Sequence, residues 1–236
     1  MSMTTYDVDD RGVALIQMDR PRALNAINVE MLEEMLVHLA AAREDDAVRT
    51  LVFSSTDHMS FSAGADLKEE LDDEGKVRRM QLFADLYDGV VQFPKPTIAA
   101  CHGYTVGGGA EIAISCDIRI GGSNLQMRFP GAALGVPVGP ARLVTLCGLS
   151  AAKYLLLSSN VIKVEEAFRL NLVNQISPGA ATENAALELA SRIAAYDPES
   201  VANVKRLLHK WDDIEGRSAD EGRGQVEWQR TGRGLH

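Results

Sequence analysis

The sequence predicts an α/β fold that passes into helices alone toward its C-terminus. Short apolar runs alternate with segments of helical period up to about Gly139. Runs such as Leu51-Val52-Phe53 and Ile98-Ala99-Ala100-Cys101 are apolar throughout, as buried and mostly parallel strands are. Beyond Gly139, helical patterns follow one another and strands nearly vanish.

The elements follow in order. Residues 13–18 read as a strand. Asn28 caps a helix to about Arg43, with Met31, Leu32, Met35, Leu36 and Leu39 on one face. Residues 48–53 form a second buried strand, followed by a loop of small residues and a short helix start at Asp66. A helix over 75–93 is ended by Pro94-Lys95-Pro96, since proline lacks the N–H a helix needs. A strand over 97–101, a helix over 106–114 and a strand over 118–120 come next. Helices are expected at 152–157, 164–170, 182–196, 199–211 and 219–230. There is no sequence repeat and no low-complexity linker. The division is an α/β core over 1–180 and a helical region over 181–236.

A length of 236 residues suits one domain, or one with a small appendage. The 46% apolar and 24% charged content is that of a soluble globular protein. A net charge of −9 argues against nucleic acid or an anionic membrane as the main partner. A polyanionic ligand would need a local cluster of Lys and Arg. Cys101, Cys116 and Cys147 form no C-x-x-C pair, and no His lies beside them at metal spacing, so no metal is expected. Their apolar neighbours mark them as reduced core thiols of a cytoplasmic protein. Met1-Ser2-Met3-Thr4-Thr5 has no signal pattern, and no apolar run is expected to span a bilayer.

Two stretches carry chemistry: Phe61-Ser62-Ala63-Gly64-Ala65-Asp66-Leu67-Lys68 and Gly103-Tyr104-Thr105-Val106-Gly107-Gly108-Gly109-Ala110-Glu111. Each reads as small residues entering a helix start. Helix starts leave N–H groups without intrahelical partners and attract negative charge. Two starts aimed at one point make an oxyanion hole from backbone alone, with Ala65 and Gly108 as donors. Glu111 follows Gly108 by three residues and shares its helix face, beside any group that the Gly108 N–H polarises. That arrangement moves a proton next to an enolate. The triple glycine is not a dinucleotide fingerprint, because Ile112 stands where the third glycine would be. Glu111 sits among Ala110, Ile112, Ala113 and Ile114, so it is read as buried, with a raised pKa suited to acid–base work. His102 reads as a structural hydrogen-bonder, His58 as a turn residue, and His38, His209 and His236 as surface or tail residues. Met127, Phe129, Trp211 and Trp228 read as core or subunit contacts rather than acyl pocket.

These stretches resemble the crotonase (enoyl-CoA hydratase/isomerase) superfamily. So do Asp19-Arg20-Pro21-Arg22-Ala23-Leu24-Asn25-Ala26, Ser115-Cys116-Asp117-Ile118-Arg119 and Glu165-Glu166-Ala167-Phe168-Arg169-Leu170-Asn171-Leu172-Val173. The order of all five covers nearly the whole chain. The resemblance implies a spiral of ββα turns, with a C-terminal helical region that assembles homotrimers or dimers of trimers. It implies an acyl-CoA thioester as substrate, with coenzyme A entering only as part of that substrate and no other cofactor. Arg22 and Lys68 would contact coenzyme A. Ala23, Leu24, Ala63, Asp66 and Leu67 would line its path, and Gly107, Pro130 and Gly131 would border the acyl site.

The pattern breaks at one point. Hydratases of the family place a second glutamate in a Pro-Glu-x-x-Leu-Gly segment, which here reads Pro130-Gly131-Ala132-Ala133-Leu134-Gly135. Gly131 stands in the glutamate position, and the turn at 136–140 looks short. A positioned acid or base contributes on the order of 10²–10⁴ in rate. Hydration would lose that much; double-bond shift or decarboxylation would lose less, and binding without chemistry nothing. Gly131→Glu is expected to restore part of the hydration.

Overall fold

The strands, in chain order, are Thr4–Val8 (β1), Val13–Met18 (β2), Thr50–Ser55 (β3), Ser60–Ser62 (β4), Thr97–Cys101 (β5), Tyr104–Val106 (β6), Ile118–Gly122 (β7), Gln126–Arg128 (β8), Ile162–Lys163 (β9) and Gln175–Ser177 (β10). The helices are Val29–Glu44 (α1), Asp73–Val91 (α2), Gly108–Ser115 (α3), Pro140–Ser158 (α4), Val164–Arg169 (α5), Thr182–Ala194 (α6), Pro198–Asp212 (α7) and Ile214–Arg230 (α8). The structure, a computed structural model, describes residues 2–235.

The strands form a six-stranded sheet in the order β1-β2-β3-β5-β7-β10 and a four-stranded sheet in the order β4-β6-β8-β9. The β1–β2 pair is antiparallel, and every later pair in the large sheet is parallel. Parallel central strands are covered on both faces, which is why β3 and β5 are buried along their whole length. On one face, α1 buries Met31, Leu32, Met35, Leu39 and Ala42, each large side chain contributing about 1.5–3 kcal/mol. Asn28 starts that helix by accepting the Met31 N–H at 3.1 Å. On the other face, Ala186 and Ala190 of α6 pack against Val52, Ile98, Ala100 and Ile120. The helical region is therefore joined to the core sheet through α6.

The chain winds as a spiral without repeating its sequence. β3, β5 and β7 each enter the large sheet, and β4, β6 and β8 each follow into the small one, with α2 after β4 and α3 after β6. Because β4, β6 and β8 are parallel neighbours, their C-terminal ends lie side by side. The loops leaving those ends are Ala63-Gly64-Ala65, Gly107-Gly108 and Phe129-Pro130-Gly131. The fold thus gathers at one place three segments that lie far apart in sequence. In parallel sheets, ligands bind at such strand ends.

Several expectations change. No helix starts at Asp66: its side chain accepts the Lys68 N–H at 3.0 Å in a turn, and α2 begins only at Asp73. The expected helix at 152–157 is the end of the longer α4, which breaks at Gly148 (φ 78°). α4 is long and apolar enough, by length and composition, to cross a membrane, contrary to expectation. It nevertheless carries Arg142 in a buried ion pair. His38 and His209 are half-buried rather than surface residues: His38 stacks on Tyr6, and His209 lies between Asp117 and Glu215. His236 lies outside the described residues. His102 bonds the carbonyls of Ala100 and Asp57, the structural role expected.

Candidate active site

The three loops line one cavity of about 300 Å³, near the lower end for ligand sites. A larger groove of about 510 Å³ lies beyond the turn at 136–138, but its lining is almost wholly apolar, with Lys153 its one titratable side chain. The groups able to hold an oxyanion and move a proton gather in the smaller cavity.

The first two loops touch. Gly64 has φ 93°, and a Cβ there would lie 3.3 Å from the Gly108 nitrogen and 2.8 Å from the Val106 oxygen. Only glycine allows this approach. Gly108 is the first residue of α3, so its N–H has no intrahelical partner. Among the described residues, none accepts the Ala65 N–H. Phe83 closes the other side of Gly108, where a Cβ would come within 2.7 Å of the Phe83 Cε1. The Tyr87 hydroxyl lies 3.4 Å from the same point.

Glu111 sits one turn into α3 and is 1% exposed. It is paired: Arg142 of α4 donates to its Oε2 at 2.9 Å. The same guanidinium nitrogen donates to Glu221 Oε1 of α8 at 2.7 Å. Glu221 also accepts the backbone N–H groups of Gly139 (3.0 Å) and Ala141 (2.7 Å), holding the first turn of α4 in place. The Arg142 guanidinium lies over the Tyr87 ring, 5.0 Å from its centroid.

One cation therefore serves two buried carboxylates. Burial pushes the Glu111 carboxyl up to about 7, with the charge of Glu221 adding to the shift and Arg142 opposing it. Asp88, joined to Arg142 through Ser218, is raised as well, mainly by burial. Oε2 of Glu111 is taken by Arg142, which leaves Oε1 for the cavity. Gly139 (φ 99°) abuts that oxygen, and a Cβ there would lie 2.7 Å from Oε1.

Ala63, Ala65, Leu67, Gly107, Gly108, Glu111, Pro130 and Gly131 all line the cavity. Arg22, Ala23, Leu24, Asp66 and Lys68 are not in its lining. Arg22 and Lys68 are exposed, and the Asp66 side chain turns away to Arg20 at 2.6 Å. The sequence reading missed Tyr87, Arg142 and Glu221. Tyr87 belongs to the stripe Met80, Phe83, Tyr87 on the inward face of α2, a helical period that was open to view. The one local signal at Arg142 is that it stands among apolar residues, and Glu221 has none.

Position 131 overturns the expected restoration. A Cβ on Gly131 would lie 2.6 Å from the Val136 backbone oxygen and 3.1 Å from Val138 Cγ1. The Gly131 carbonyl also accepts the Val136 N–H at 2.8 Å, which fixes the turn. A glutamate has no space there without rebuilding the backbone.

Known proteins share this sequence pattern and this fold. The family model described as enoyl-CoA hydratase/isomerase matches residues 9–222. A short-chain-enoyl-CoA hydratase of Clostridium acetobutylicum is 35% identical over 218 residues, covering 89% of this chain and 83% of the relative. A 2,3-dehydroadipyl-CoA hydratase of Escherichia coli is 31% identical over 205 residues, covering 86% of this chain and 80% of the relative. The crystal structure of an enoyl-CoA hydratase from Bacillus anthracis superposes with a TM-score of 0.85 at 26% identity, covering 98% of this chain and 91% of the other.

Proposed function

Because this chain belongs to the enoyl-CoA hydratase/isomerase family, we propose that it processes an acyl-CoA thioester through an enolate, with one carboxylate moving the proton. The observation that carries this reading is the buried Glu111 carboxylate, which lines the same cavity as the Ala65 and Gly108 loops. In this reading the two N–H groups hold the thioester oxygen, each donor contributing about 10²–10³ in rate. Glu111 removes a proton from the carbon beside the carbonyl, and the electron pair moves onto the held oxygen. The carboxylic acid then returns the same proton to the far end of the conjugated system, so the double bond shifts and no co-reactant is needed. A proton affinity near neutral pH suits both halves of that exchange. Hydration is the less favoured reaction, since Gly131 supplies no second carboxylate and Glu221 is held by Arg142 and α4.

A non-catalytic acyl-CoA-binding protein is the second reading, favoured by the ion pair that engages Glu111 Oε2. Turnover of 3-enoyl- and 2-enoyl-CoA substrates, measured beside binding of saturated acyl-CoAs, separates the two. Isomerisation faster than hydration is the expected result. Tight binding with no turnover of any substrate would leave the binding reading.

A homotrimer is the assembly that accompanies the proposal. Val204, Leu208 and Trp211 of α7 stand exposed at helical spacing and give it apolar surface. Light scattering at micromolar concentration should return a trimer, and a monomer there would remove this part.

A further inference from the structure

Helix α8 presents a polar stripe to the rest of the protein, with Ser218, Gln225 and Gln229 buried and Glu221 half-buried on one helix face. Three of the four are matched. Ser218 donates to Asp88 at 2.6 Å. Glu221 takes Arg142 and two N–H groups of α4. Gln229 bonds both backbone groups of Leu235, at 2.8 and 3.2 Å. Gln225 is the exception. It is 3% exposed and lines the candidate cavity; among the described residues its Nε2 meets only the sulfur of Met80, and its Oε1 has no partner.

An orphaned amide in an apolar wall is costly, so its persistence calls for a ligand. Around it the wall is Met80, Phe83, Val136, Val138 and Leu235. Those side chains suit the carbons of an acyl chain, and the amide suits a polar group on that chain. The amide offers a donor and an acceptor, and its two ends are interchangeable by rotation. A hydroxyl answers either end, because it both donates and accepts. A carboxylate does not fit as well. It only accepts, so it would answer the Nε2 end and leave Oε1 unmatched.

We infer that the acyl chain bound here carries a neutral hydroxyl beyond its reacting carbons, and that Gln225 selects it. The inference rests on the acyl-CoA reading above, and its test is one of binding alone.

Titration calorimetry would compare butanoyl-, pentanoyl- and hexanoyl-CoA, each beside its terminal-alcohol counterpart. In at least one pair the alcohol should bind roughly tenfold tighter, the scale of one neutral hydrogen bond in a dry site. Gln225→Leu should erase that preference and bind the plain chain as well as the parent binds the alcohol. If the parent binds the plain member of every pair as tightly as the alcohol, the inference is overturned while the acyl-CoA reading stands. A trapped water serving the amide would give that result. If neither member of any pair binds, both readings fall. The parent's preference decides the matter even if the leucine variant does not fold.

Discussion

Glu111→Gln should lower turnover by at least 10²-fold, and toward 10⁴-fold if no other group takes the proton. Glutamine keeps the size of the side chain and cannot accept the proton, so acyl-CoA binding should stay within a few-fold of the parent. The pH profile gives the sharper test. Proton removal needs the carboxylate, so the parent kcat/KM should climb with pH and level off above about 7, where burial has placed the Glu111 carboxyl. Folding stability should run the other way. The folded pKa lies above the ordinary value of 4.5, so the native state binds the extra proton. Its stabilising contribution is complete below about 4.5 and is lost as pH rises through about 7. In the glutamine variant both pH dependences should flatten across that window. A variant that turns over every substrate like the parent would remove Glu111 from the mechanism.

Arg142→Met should be the most damaging single change to stability. It leaves Glu111 and Glu221 buried without the cation they share, and breaking a buried pair costs about 3–5 kcal/mol. For a chain of this size, each kcal/mol lowers Tm by roughly 2–4 °C. The activity that remains should need a higher pH, because Arg142 is what opposes the upward shift of Glu111. Adding Glu111→Gln to Arg142→Met removes one stranded charge and should recover part of the lost stability, a coupling that a double-mutant cycle measures. Equal thermal stability of Arg142→Met and the parent would show that the pair is not formed in solution.

The difference between what could be read in advance and what could not follows from range. Strands 13–18 and 97–101 were legible to the residue, because they are apolar runs of five or six residues with clear boundaries. β4, β6 and β8 have three residues each and no period of their own. They are strands because each pairs with the next. The meeting of the small residues at 63–65 and 107–108 was legible because close backbone approach leaves a signature in composition. The helix expected at Asp66 failed because a short side chain bonded its own backbone two residues on, an alternative that always competes with a helix start. Arg142 meets Glu111 across 31 residues and Glu221 across 79, and no local pattern encodes such pairings. At Gly131 the sequence shows a residue without a carboxylate. What the sequence hid was the Val136 carbonyl filling the space in front of it.

The clamp on α4 also sets an order of events during synthesis. Domains form from the N-terminus as the chain is made, and contacts distant in sequence close last. The three loops and Glu111 are complete once Gly131 has emerged, while Glu221 is still tens of residues from being translated. Until α8 arrives, the first turn of α4 lacks the carboxylate that holds it, and Arg142 has Glu111 alone. A nascent chain thus holds Glu111 before it holds the wall and the second carboxylate that raise its proton affinity. The site is finished by the arrival of the last described helix, which closes the fold around it.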